Sequence, residues 1–162
     1  MYRADLPYPS IKAEEENVYY ARMLMRDYAG LGGELTAVQQ YQYQSIILRP
    51  QNEELSLALQ KIAAVEMHHL RMVGEMIFLL GSDPKYRVMR SRRPVYYSGV
   101  FVDYSKTMSK ILMDNIAAEK KTICNYSDRL QQIADPYIQA VIRRIIQDEQ
   151  AHIEVFKQFL GI

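Results

Sequence analysis

Two short stretches, Glu66-Met-His-His69 and Glu149-Gln-Ala-His152, each set a glutamate three residues before a histidine. Residues three apart on an α-helix share a face, so each stretch projects a carboxylate and an imidazole side by side. The chain has only three histidines, and two of them stand in this position. A lone acid precedes each pair: Glu34 lies 32 residues before Glu66, and Glu119 lies 30 before Glu149. The same plan therefore occurs twice, about 84 residues apart. Four carboxylates and two imidazoles form a donor set that suits iron or manganese better than zinc's sulfur-rich structural sites. The chemistry expected of Glu34, Glu66, His69, Glu119, Glu149 and His152 is the binding of two metal ions per chain.

Such ligands need helices to carry them, and the punctuation of the chain supplies four. Residues 1–16 read as an extended arm broken by Pro7 and Pro9. Asn17 caps a first helix to about Leu48, interrupted by Gly30, Gly32 and Gly33 and stopped at Arg49-Pro50. Asn52 caps a second, Glu53 to Leu80, with Gly81 after it. Residues 82–102 contain Pro84, Pro94 and Gly99, show no helical stripe, and read as a crossover loop. A third helix is expected from about Asp103 to Ile133. Asp135-Pro136 then begins a fourth, reaching Leu160. Four helices in two hairpins with one long crossover make an all-α, ferritin-like four-helix bundle, a single domain over residues 1–162.

The apolar positions agree with this placement. Leu55, Leu59, Ile62, Val73 and Ile77 continue the ligand face of helix two. Ile138, Ile142, Ile145, Phe156 and Phe159 do so on helix four. The ligands thus point into an apolar core, where uncompensated carboxylates would protonate or destabilise the fold. Two divalent cations remove that difficulty.

Composition narrows the function classes. Of 162 residues 49% are hydrophobic and the net charge is +1, which argues against a nucleic-acid binder working through overall charge. No run reaches the roughly 18 apolar residues of a membrane span, and the first residues lack a signal-peptide stretch. A lone Cys124 excludes a disulfide framework or a CxxC pair, so a cytoplasmic, reducing location is expected.

Several neighbours of the ligands also carry polar chemistry. Tyr41 and Tyr126 each follow a lone glutamate by seven residues, which places two phenols as catalytic candidates beside the metals, or as core filler. Asp148 is placed to orient a histidine from another helix, and Asn115 is a weaker candidate for the same task. His68 points about 100° away from His69 and belongs to an outer face. Five basic residues between Lys85 and Arg93 read as a solvated loop. Surplus tyrosines and methionines on outer faces suggest a homodimer.

The segments Gly33-Glu-Leu-Thr-Ala37 through Tyr41, Ile62 through Leu70, and Asp148-Glu149-Gln-Ala-His152 resemble the ferritin-like superfamily. Within it they are similar to manganese catalases, their spore-coat relatives and rubrerythrins, across roughly residues 17–160. The resemblance implies an oxidoreductase acting on hydrogen peroxide. It assigns Glu34 and His69 to one metal, Glu119 and His152 to the other, and Glu66 as a bridge. Glu149 is then either a ligand or the proton-transferring base, as its counterpart is in manganese catalases. Two departures stand out: Thr122 occupies the place of a further rubrerythrin glutamate, and the four-cysteine rubredoxin domain is absent. With no flavin or nicotinamide fingerprint either, dismutation is expected ahead of reduction driven by an external electron donor. Iron binding with ferroxidation, or a structural coat role, are the alternatives.

Overall fold

Caps set the helix boundaries in the computed structural model, which describes residues 2–162. Asn17 accepts hydrogen bonds from the N–H groups of Tyr19 and Tyr20 and opens α1, Val18–Ala29. Gly33 precedes α2, Glu34–Leu48. Asn52 accepts from the Leu55 N–H and opens α3, Glu53–Leu79, a rod about 40 Å long. Asp135, followed by Pro136, accepts from Tyr137 and Ile138 at the start of α5, Pro136–Leu160. Between them lies α4, Met108–Gln132.

The bundle has four rods, because α1 and α2 are one rod broken in the middle. The break, at residues 30–33, is a backbone close approach. A Cβ on Gly33 would lie 2.6 Å from the carbonyl oxygen of Asp27, and Gly32 takes φ +70°. Thr36 Oγ1 donates to the Gly30 carbonyl across the break. Its consequence is local and chemical: Glu34 becomes the first residue of a helix, where the free N–H groups favour a carboxylate. The rod α1–α2 packs against α3, and α4 packs against α5. A partly buried ion pair, Arg129 to Asp27 at 2.8 Å, ties α4 back to α1.

Two expected boundaries shift. The third helix starts at Met108 rather than Asp103, because the Asp103 carboxylate is engaged in a turn with the N–H and hydroxyl of Ser105. The crossover is not only a loop. It contains a two-stranded antiparallel hairpin, β1 Arg87–Arg90 and β2 Arg93–Tyr96, and a short 3-10 turn, Gly99–Phe101. Ser91 and Arg92 make the hairpin turn with φ of 48° and 66°. Such turns normally carry Asn or Gly, so the sequence holds no warning of this one.

Apolar residues form two clusters stacked along the bundle. One includes Leu24, Val73, Met76, Ile142 and Ile145. The other includes Leu55, Leu59, Ile62, Leu112 and Phe156. Along α3 and α5 the Glu-x-x-His pairs lie at the junction between these clusters, so the polar centre is plugged from both ends. Outside the bundle, the arm before Asn17 runs over the surface and is pinned where Glu14 N–H donates to Asp135 Oδ2 at 2.7 Å. No helix of the described residues is long and apolar enough to cross a membrane.

Candidate metal centre

Each of the six sequence-chosen ligands is buried, none more than 3% exposed. They come from four helices: Glu34 from the start of α2, Glu66 and His69 from α3, Glu119 from α4, Glu149 and His152 from α5. Two sets of ligand atoms result, Glu34–Glu66–His69–Glu149 and Glu66–Glu119–Glu149–His152. Within each set the atoms lie within 4.8 Å of one another. Glu66 and Glu149 belong to both.

Both imidazoles turn Nδ1 inward. His69 Nδ1 lies 3.1 Å from Glu66, 3.3 Å from Glu149 and 3.7 Å from Glu34. His152 Nδ1 lies 2.9 Å from Glu66, 3.0 Å from Glu149 and 3.4 Å from Glu119. The rings are 6.2 Å apart between centroids. The two phenols cross over. Tyr41, on the rod that carries Glu34, donates to Glu119 at 2.5 Å, whereas Tyr126, on the helix of Glu119, donates to Glu34. Each lone glutamate is therefore held by the tyrosine of the opposite hairpin.

Electrostatics show what the cluster lacks. Burial pushes the Glu34 carboxyl up to about 8, against the pull of His69. Burial also raises Glu119, with Glu149 and Glu66 adding repulsion. Glu66 differs: burial raises it too, but His152 and His69 outweigh that and hold it below the usual carboxylate range. Burial opposes charge on His69 and His152, yet the carboxylates around them win and raise both. Among the described residues, no lysine or arginine pairs with any of the four glutamates. Oε1 of Glu66 and Oε1 of Glu149 are buried and accept no well-aligned hydrogen bond, although His152 Nδ1 lies 2.9 Å from the first and His69 Nδ1 3.3 Å from the second. Buried carboxylate oxygens that accept no well-aligned hydrogen bond, converging with two inward nitrogens, form a donor set suited to cations. The donor set fits two hard divalent ions.

Beyond the ligands the two sets diverge. His69 Nε2 meets Asp148 Oδ2 at 3.0 Å, as the spacing argument expects of a partner from another helix. Asp148 is itself held by Arg144, Tyr8 and the N–H of Ala4. His152 Nε2 is buried and has no partner. Asn115 does not serve as one: its side chain bonds Gln40 and Gln44 of α2 in a buried amide network. His68 lies outside the centre, its ring 4.4 Å from that of Tyr8. Tyr8 and Arg144 escape sequence reasoning. The only trace is Arg144 at i−4 from Asp148, since Tyr8 is 140 residues away from it.

Comparison with known proteins follows the same lines. A probable manganese catalase of Clostridium acetobutylicum is 27% identical, over 93% of this chain and 74% of its own length. The manganese catalase KatB from Anabaena superposes with TM-score 0.86 at 22% identity, covering 99% of this chain and 80% of that one. A bacterioferritin from Desulfovibrio desulfuricans, with a diiron site, gives TM-score 0.74 at 25% identity, over 88% of this chain and 78% of its own. The family model described as rubrerythrin matches residues 29–160, which takes in all six candidate ligands despite Thr122 and the single cysteine. The chain belongs to the rubrerythrin family, on a ferritin-like bundle.

Proposed function

We infer that this protein is a dinuclear manganese or iron oxidoreductase that dismutates hydrogen peroxide, 2 H2O2 giving 2 H2O and O2. The observation that carries the reading is the sharing of Glu66 and Glu149 between two Glu/His sets whose imidazoles both present Nδ1. Likeness to a probable manganese catalase supports it. Two bound ions would supply a two-electron change across adjacent centres. Glu34 with His69, and Glu119 with His152, would each hold one ion, and Glu66 belongs to both sets. Tyr41 and Tyr126 stay protonated, since burial and the neighbouring carboxylates raise both phenols. Each donates to a lone glutamate and keeps it aimed at the centre. Glu149 holds and returns the proton, at the Oε1 that accepts no well-aligned hydrogen bond. The apolar clusters above and below exclude bulk water, which suits a substrate as small as peroxide.

The test is oxygen evolution from peroxide by manganese-loaded and by iron-loaded protein, with no reductant added. Dismutation predicts oxygen from at least one form. Consumption of a reduced electron carrier by peroxide, without oxygen from either form, would replace dismutation with donor-dependent reduction. Likeness to a bacterioferritin with a diiron site favours a second reading, ferroxidation. It predicts Fe2+ oxidation beyond two ions per chain and no oxygen from peroxide.

A further inference from the structure

Asp148 is a fully buried carboxylate beside the centre that is not among the candidate ligands. Its two oxygens receive four donors. Oδ1 accepts from the Ala4 N–H at 2.7 Å and from Arg144 at 2.5 Å; Oδ2 accepts from the Tyr8 hydroxyl at 2.7 Å and from His69 Nε2 at 3.0 Å. A carboxylate offers about four lone-pair sites, so this one is saturated. Two of the four donors come from the N-terminal arm. The arm also serves Arg144, which is 4% exposed. Its remaining N–H groups donate to the carbonyls of Ala4 and Leu6, and its guanidinium lies 4.2 Å from the centre of the Tyr8 ring.

We propose that residues 2–8 are a strap that positions His69 for the metal, with Tyr8 as its main positioning residue. The role rests on the dinuclear reading above. A saturated, ionised Asp148 can only accept, so His69 must donate through Nε2 and present its Nδ1 lone pair to the ion shared with Glu34. Without the strap, Asp148 has two empty acceptor sites, and Arg144 and water compete for them. The carboxylate is then free to swing from His69, and the ring loses its orientation. The opposite half has no such device: the position matching Asp148, one residue before the Glu-x-x-His glutamate, is Val65, and His152 Nε2 has no partner. The strap therefore acts on one ion of the two.

That asymmetry separates positioning from general stability. Mn2+ binding to the full chain is titrated by the EPR signal of the free ion, for the wild type, Tyr8→Phe, Asp148→Asn and the double variant. Tyr8→Phe is expected to weaken one of two ions roughly threefold to tenfold, less than the about 10- to 100-fold of losing a direct histidine partner. The other ion keeps its affinity, and Tyr8→Phe adds nothing in the Asp148→Asn background. Equal weakening of both ions, additive effects in the double variant, or no change in Tyr8→Phe would each overturn the strap. A second measurement needs no metal. In the metal-free protein the His69 Nε2–H should exchange slowly with solvent, and at least about tenfold faster in Tyr8→Phe. A wild type that takes up no Mn2+, Fe2+ or Co2+ refutes the dinuclear reading and with it any role toward an ion. The exchange rates still report whether Tyr8 holds the Asp148–His69 contact, and unchanged exchange overturns that too.

Discussion

The two halves of the centre share ligand chemistry and differ in what stands behind the histidines. Behind His69 is a buried carboxylate with all its acceptor sites filled; behind His152 is an imidazole nitrogen that meets nothing. In sequence the difference is one residue, Asp148 against Val65, each immediately before its Glu-x-x-His glutamate. A doubled motif thus repeats the candidate ligand atoms without repeating what holds them. A histidine whose second nitrogen is engaged has its tautomer and ring angle set before the ion arrives. On the proposed reading the His69 half is preorganised, and the His152 half is the one left to adjust.

The largest expected effect falls on what the halves share. Glu149→Gln keeps the side-chain volume and removes the proton acceptor. Oxygen evolution should drop about 10²- to 10⁴-fold while two ions remain bound, because proton transfer by a placed side chain is worth that much. If metal analysis of the variant finds fewer than two ions, Glu149 is a bridging ligand and the proton acceptor lies elsewhere.

Asp148→Asn breaks the comparison on one side. One ion should bind about 10- to 100-fold more weakly, with helicity by circular dichroism unchanged. The halves are alike after all if both ions keep their affinity.

The metal-free centre should show its strain as a pH dependence of stability. Glu34 has a folded value of about 8 against an ordinary 4.5, so its stabilising contribution is complete below 4.5 and is lost as pH rises through 8. Glu119, in the other half, is also raised, and His69 and His152, raised as well, lose stability in the same direction. Glu66 and Asp148 are lowered and act in the opposite sense, only in acid, below their ordinary values of 4.5 and 3.8. Between about 4.5 and 8 the unfolding free energy of metal-free protein should therefore fall, by up to about 1.4 kcal/mol per pH unit for each group still titrating, and its melting temperature should fall with it. Bound Mn2+ takes the place of the protons and should flatten the curve. Glu34→Gln and Glu119→Gln should each remove part of the slope; a metal-free protein equally stable across this range contradicts the reading.

The smallest effect comes from mending the weaker half. Val65→Asp puts a carboxylate at the position that matches Asp148, as a candidate acceptor for His152. It should tighten the weaker ion by a few-fold at most, since the new carboxylate also has to be desolvated and has no strap around it. Mn2+ titration decides between this and a loss of affinity, which would mean that the gap behind His152 is better left apolar.

Local spacing was enough to place much of this molecule. Helix geometry puts residues three apart on one face whatever the rest of the chain does, so both Glu-x-x-His pairs were legible. So were the caps at Asn17, Asn52 and Asp135, whose side chains bond N–H groups two or three residues away. The hairpin at 87–96 was not, because its turn is made by Ser91 and Arg92 without the usual residues.

Everything that depends on which helix face meets which was decided by tertiary packing. The sharing of Glu66 and Glu149, the crossing of Tyr41 to Glu119 and Tyr126 to Glu34, and the exclusion of Asn115 from the centre all follow from how α2, α4 and α5 are rotated against α3. The strap is the extreme case. Nothing in Arg3-Ala-Asp-Leu-Pro-Tyr8 marks it as reaching the candidate metal centre, because its hydrogen bonds run to Asp148, about 140 positions away. A hydrogen bond to a buried carboxylate carries no sequence periodicity. The sequence determined which residues are candidate metal ligands, and the folded chain determined which of their rings have a partner.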